Sequence, residues 1–149
     1  MRIERWNGGE LPEAAAGILR DGLRELGETE DEVSTSLDRA ASERNLTFIA
    51  SDGGRPVGVL IALPKPAIRS AFVLWIVVAP DARRRGVGTA LVDALESTPG
   101  LEGLKGMVDQ EDHTALGFWQ DRGWAVSGGR PGRRQQMEFR LAASAAEAA

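Results

Sequence analysis

The 149-residue sequence predicts a mixed α/β (α+β) domain, with one central sheet of about six to seven strands flanked by about four helices. Three observations predict it. Apolar residues switch several times between strand-like runs and helical spacing. Each switch is punctuated by Gly, Pro or a capping residue and not by a long linker. The order that results is βααββ followed by β-α-β-α-ββ, with no internal repeat. Residues 1–141 read as one domain, and the Ala-rich stretch 142–149 reads as a frayed tail.

Residues 2–6 form a short first strand. A helix from Leu11 to Leu26 follows, with Pro12 in its first turn and Gly27 as its stop. Leu11, Ala15, Ile18 and Leu26 share its apolar face. Thr29 and Glu32 have the spacing of a capping box and open a second helix that runs to about Arg44. Its apolar positions are sparse, so it reads as an exposed cover. Leu46–Ala50 and Val57–Leu63 are strands of a hairpin turned by Ser51-Asp52-Gly53-Gly54. Ala71–Val78 is apolar without alternation, the pattern of a strand buried on both faces. Helical spacing returns from Gly86 to Leu95. Leu104–Val108 is a short strand, and Asp112 caps a helix that Gly123 ends. Trp124–Ser127 and Gln135–Leu141 close the sheet around a hairpin at Gly128–Arg134.

Composition excludes several chemistries. With no cysteine there are no disulfides, thiolate metal sites or cysteinyl intermediates, which fits a reducing, cytoplasmic setting. The single histidine, His113, excludes a multi-histidine metal site within one chain, and no metal site is expected. A net charge of −4 and a pI near 5.1 oppose nucleic-acid binding, which needs a dominant basic face. No apolar run approaches the roughly 20 residues that span a bilayer, so no membrane partner is expected. The first residues carry no apolar leader.

The informative segment is Ala79-Pro80-Asp81-Ala82-Arg83-Arg84-Arg85-Gly86-Val87-Gly88-Thr89-Ala90. A buried strand feeds a short turn, and the turn opens a helix. The first N–H groups of a helix lack intrahelical partners, and the helix dipole adds positive potential there. A pyrophosphate is the natural ligand of such a junction. Gly86 and Gly88 let it approach the backbone, and three arginines add charge. A third glycine is missing, so the dinucleotide fingerprint fails; Gly-Lys-Ser/Thr is missing, so it is not a nucleotide P-loop.

Here the sequence resembles the GNAT superfamily of acyl-CoA-dependent N-acetyltransferases. The family signature Gln/Arg-x-x-Gly-x-Gly/Ala is matched by Arg83-Arg84-Arg85-Gly86-Val87-Gly88. A second family segment, Asn-x-x-Ala-x-x-Phe-Tyr-x-x-x-Gly-Phe, is matched by Asp112-His113-Thr114-Ala115-Leu116-Gly117-Phe118-Trp119-Gln120-Asp121-Arg122-Gly123-Trp124. The two lie in family order and spacing. The resemblance implies a sheet splayed between its fourth and fifth strands, with acetyl-CoA as acyl donor. It implies that Ile76, Val77 and Val78 offer backbone groups to pantetheine and that Arg83, Arg84, Arg85, Gly86, Val87, Gly88 and Thr89 hold the pyrophosphate. It places Asp112 and Trp119 at cofactor-contacting positions and makes the Val78 N–H an oxyanion donor. It also admits a homodimer.

Two catalytic positions depart from the family pattern, and the Asn that often contacts the cofactor is Asp112 here. The Tyr that often protonates the leaving thiolate is Trp119, and no Tyr exists elsewhere in the chain. The Glu that often serves as base on the fifth strand is Met107. A CoA thiol resembles Cys, with a pKa of about 8.5, so its thiolate leaves without a dedicated acid. The remaining need is to deprotonate the amine. Asp109, Glu111 and His113, just past the fifth strand, are the candidates to relay that proton through water. The expected reaction is acetyl transfer to a small-molecule or peptide primary amine by direct attack. The competing readings are an acyl-CoA-binding module with little or no catalysis and an acetyltransferase acting on charged tRNA; the acidic balance opposes the latter.

Overall fold

The computed structural model of the chain describes residues 1–109, 111–126 and 134–141. Its strands are β1 (Arg2–Trp6), β2 (Leu46–Asp52), β3 (Arg55–Lys65), β4 (Ser70–Val78), β5 (Gly103–Asp109), β6 (Ala125–Val126) and β7 (Arg134–Arg140). Its helices are α1 (Glu13–Glu25), α2 (Glu30–Ala41), α3 (Val87–Glu96) and α4 (His113–Asp121). The strands make a mixed seven-stranded sheet in the order β1-β2-β3-β4-β5-β7-β6. This is the fold class expected. The chain divides into two compact units, Met1–Leu63 with Trp75–Thr98 and Pro64–Leu74 with Pro99–Ala149.

In the first unit, β2 pairs antiparallel with β1 and with β3, and a register shift falls at Ala50/Ser51. The buried residues of α1 are Ala15, Ala16, Leu19 and Leu23, an i, i+4 row widened by Ala16; Leu11, also buried, precedes the helix, whose N-cap is Pro12. Leu26, expected on that face, is 64% exposed, and Ile18 is only half-buried. The reason is local. Glu28 N–H donates to Leu23 O and Gly27 N–H to Arg24 O, with Gly27 at φ +83°, a Schellman ending that turns the chain out before Leu26 can join the row.

Thr29 caps α2 as expected, its Oγ1 accepting from Glu32 N at 3.1 Å. The helix stops at Ala41, short of Arg44, and it is more than a cover, because Val33, Ser36 and Ala40 are buried. β3 runs through Pro64 to Lys65, past its expected end at Leu63. Pairing with β2 has already finished at Ala62↔Leu46, and the fixed φ of proline suits extended backbone.

In the second unit, the first half of β4 pairs parallel with β5, from Ser70↔Gly103 to Val73↔Gly106. β5 pairs antiparallel with β7, and β7 with β6. Leu104, Val108 and Met137 are buried here beside an aromatic stack. In that stack Trp119 lies 4.9 Å from Phe118 and 4.4 Å from Trp124, and Trp124 lies 5.8 Å from Phe139, centroid to centroid. Asp112 Oδ1 accepts from Ala115 N at 3.0 Å, which gives α4 the cap the sequence predicts. The hairpin residues 127–133 and the tail 142–149 lie outside the described residues. Among the described residues, no helix is long and apolar enough to cross a membrane.

Candidate active site

The site is built where β4 leaves the sheet. Ala79 N–H donates to Val57 O at 2.8 Å, which fixes the end of β4 against β3. Pro80–Ala82 then makes one 3-10 turn with Ala82 buried, and Arg83 is extended. Arg84 adopts φ +65° and Gly86 φ +79°, so the chain is left-handed twice before α3 begins. A left-handed conformation is easy for glycine and rare for arginine, which marks Arg84 as a strained position of the turn.

The N-terminus of α3 has Gly86 as its cap residue and no side-chain cap. The first intrahelical bond is Ala90 N–H to Gly86 O, so the N–H groups of Val87, Gly88 and Thr89 precede the helical ladder. A Cβ built on Gly86 meets no protein atom within 4 Å, so the loop keeps open space beside these donors. Val87 is buried and anchors the helix on β3, where a Cβ at Gly58 would lie 2.7 Å from Val87 Cγ1.

Charge is distributed unevenly over the three arginines. Arg83 reaches back to Glu25 of α1 at 3.4 Å. Arg84 and Arg85 are exposed. Beside them Arg55 Nη2 donates to Asp81 Oδ2 at 2.7 Å, and this bond, with the charges of Arg55 and Arg85, holds the Asp81 carboxyl below the usual range. The turn therefore keeps Asp81 ionised and paired with Arg55.

Upstream, Val77 is buried against α1 so closely that a Cβ on Gly22 would overlap its side chain. Ile76 and Val78 are half-buried. Ile76, Val77, Val78 and the segment Arg83–Thr89 thus all belong to the first unit. The other candidates belong to the second. Asp109 closes β5, and its Oδ1 accepts from Glu111 N at 2.9 Å. Glu111, Asp112 and His113 are exposed at the start of α4. Trp119 is 9% exposed within the aromatic stack, the core placement, whereas Met107 is 43% exposed on β5. Among the described residues no group of three His, Cys, Asp or Glu side chains is arranged to hold a metal ion.

A family model described as Acetyltransferase (GNAT) family matches residues 14–124. The chain belongs to the GNAT acetyltransferase family. Among curated proteins, none matches this sequence. Solved structures similar to this GNAT chain include an aminoglycoside 6'-acetyltransferase type Ii, 21% identical with a TM-score of 0.77, over 95% of this chain and 98% of that one. Another is an aminoglycoside 6'-N-acetyltransferase complexed with coenzyme A, 19% identical with a TM-score of 0.77, over 95% and 98%. A third is the ribosomal-protein-S18-alanine N-acetyltransferase of Escherichia coli, 17% identical with a TM-score of 0.72, over 95% and 95%. At these identities the likeness is one of fold.

Acetyl-CoA is the acyl donor of this GNAT chain. The residues present fit it: an uncapped helix N-terminus, a left-handed glycine with open space beside it, and flanking guanidinium groups suit a pyrophosphate. Three positions that build the site carry no sequence motif. Gly22 and Gly58 admit close packing of α1 and α3 on the strands, and Ser36 links α2 to Trp75. Gly58 sits mid-strand, where glycine signals close backbone approach; Ser36 gives no such signal.

Proposed function

We propose that the chain is an N-acetyltransferase that moves the acetyl group of acetyl-CoA to a primary amine by direct attack. The observation that carries this reading is the uncapped N-terminus of α3 behind left-handed Gly86. Bound there, acetyl-CoA supplies an activated acyl thioester whose thiol is the leaving group. In this reading Arg84, Arg85 and the N–H groups of Val87, Gly88 and Thr89 bind the pyrophosphate, and Arg83 joins them by releasing Glu25. Ile76, Val77 and Val78 offer backbone groups to the pantetheine arm, and the Val78 N–H donates to the acyl oxygen. The attacking amine must be neutral, whereas an alkylamine with a pKa of about 10.4 is mostly protonated. Asp109, Glu111 and His113 are the groups proposed to take its proton through water. The names of the similar structures include aminoglycosides and an alanine of a ribosomal protein, and the acceptor class proposed here is accordingly small amines and peptide N-termini. A cytoplasmic setting suits this donor and the absence of cysteine.

A second reading is an acyl-CoA-binding module. What favours it is that Trp119 and Met107, which stand where relatives carry a proton donor and a base, can neither give up nor take a proton near neutral pH. One experiment orders the two readings. Acetyl-CoA is titrated calorimetrically into the parent, Gly86→Asn and Gly86→Glu, followed by turnover assays on an amine panel. Asparagine tolerates the left-handed conformation, so Gly86→Asn controls for backbone strain. We expect micromolar binding by the parent, little change in the asparagine variant, and a loss of about tenfold or more in the glutamate variant, whose carboxylate repels the phosphates. Equal binding by all three would remove the phosphate site from this loop. Binding without turnover of any amine would favour the module.

A further inference from the structure

Ser36 lies mid-way along α2 and is fully buried. A buried serine in a helix ordinarily returns its hydroxyl to the carbonyl one turn back. This one does something else. Trp75 Nε1 donates to Ser36 Oγ at 3.0 Å, and Ser36 Oγ lies 3.3 Å from Glu32 Oε1. An indole N–H only donates and an ionised carboxylate only accepts, so the direction is forced. The indole gives its hydrogen to Ser36, and Ser36 gives its own to Glu32. One serine therefore joins the middle of β4 to the first turn of α2.

Trp75 stands three residues before Val78, which is about 10 Å along a strand. Its neighbours Ile76–Val78 are the segment to which the proposed reaction assigns the acyl group. The relay does not involve the phosphate loop at Arg83–Thr89. What it controls is how α2 lies on β4 beside the acyl-presenting segment, with the acidic first turn Glu30, Asp31 and Glu32 carried along. Glu30 is paired with Arg24 at 2.6 Å, and the Asp31 and Glu32 carboxylates of the same turn suit a cationic amine.

Stability alone does not call for such a relay. Replacing both partners of a buried hydrogen bond by apolar groups of like shape is nearly neutral. What the bond adds beyond packing is direction: it sets the plane of the indole and the position of the Glu32 carboxylate. We propose that Ser36 is a positioning residue for the acceptor amine, acting through Trp75 and Glu32. This rests on the acetyltransferase reading above.

The test compares the parent with Ser36→Ala, Trp75→Phe and the double variant. For each, acetyl-CoA affinity is measured by calorimetry, Tm by thermal unfolding, and kcat and KM with spermidine, kanamycin and a short peptide with a free N-terminus. Each single variant should raise the acceptor KM about fivefold, the worth of one hydrogen bond. Acetyl-CoA affinity should stay within about twofold of the parent. Phenylalanine is smaller than tryptophan, so the double variant should match the Tm of Trp75→Phe alone to within about 2 °C, Ser36→Ala adding no further loss once the indole donor is gone, while keeping the raised KM. That split between stability and KM is something a purely structural serine would not produce. A KM that returns to the parent value in the double variant overturns the proposal, and so does an equal loss of acetyl-CoA affinity. Parent turnover with unchanged KM in all three variants overturns the relay alone. Acetyl-CoA binding with no amine acetylated by the parent overturns transfer to amines and this proposal together.

Discussion

The Asp81 carboxylate stands at the entrance to the phosphate loop with a 2.7 Å hydrogen bond from Arg55. That bond comes first among the causes that lower its pKa, followed by the charge of Arg55. A lowered folded-state pKa contributes stability above the unfolded value, near 3.9, and loses it as pH falls through the folded value. Both groups are exposed, so the contribution is small and salt-sensitive. Arg55→Gln should therefore lower the urea midpoint slightly at pH 7, and the gap to the parent should close as the pH drops below about 4. Urea titrations at pH 7, 5 and 3 check this; a gap that stays constant at pH 3 would mean that the pair does not act through ionisation. At the same scale, Gly86 and Asp112 announce their roles in the sequence, because a left-handed cap and an N-cap each restrict residue type. Ser36 does not. Its partner is 39 residues away, and only the folded chain brings the two together.

Two of the three helices of the first unit are set against a strand at a glycine: Gly22 of α1 against Val77, and Gly58 of β3 against Val87 of α3. The Val87 contact matters for function because Val87 is the first residue of α3, next to the donors of the phosphate site. A Cβ at Gly58 would lie 2.7 Å from Val87 Cγ1, and a valine in a helix has essentially one rotamer in which to yield. The helix start must then shift instead. Gly58→Ala should destabilise the fold by about 1–3 kcal/mol through overpacking. It should also weaken acetyl-CoA binding more than a mutation of similar cost placed elsewhere in the unit. Denaturant titration and calorimetry on Gly58→Ala and on Leu19→Ala make the comparison. If both lose affinity only in proportion to stability, the glycine serves packing alone. The elements themselves were legible, since period and caps placed every strand and helix. Their boundaries were less so. The end of α1 was misread at Leu26 because hydrophobic periodicity cannot tell a last helical residue from the cap that follows it. The course of β3 through Pro64 was missed because proline's lost donor matters only where a ladder bond is required.

At the scale of the whole molecule, two electrostatic effects oppose each other. The chain carries a net charge of −4, which repels an anionic cofactor from a distance. The turn at Arg83–Arg85 attracts it nearby. Which effect governs binding is decided by distance. The Debye length is about 8 Å at physiological ionic strength, so charges spread across the surface are largely screened while guanidinium groups in contact with phosphate are not. Acetyl-CoA binding should therefore behave as attraction, weakening as salt rises from 50 to 300 mM in spite of the acidic net charge. Arg84→Ala with Arg85→Ala should flatten that dependence as well as lower the affinity, because fewer counterions are then exchanged. The same salt series should also reduce kcat/KM for a cationic acceptor, since the net charge and the acidic first turn of α2 draw it in. An acetyl-CoA affinity that rises with salt would show that net repulsion prevails over the loop. The pyrophosphate would then have to be held somewhere other than the N-terminus of α3.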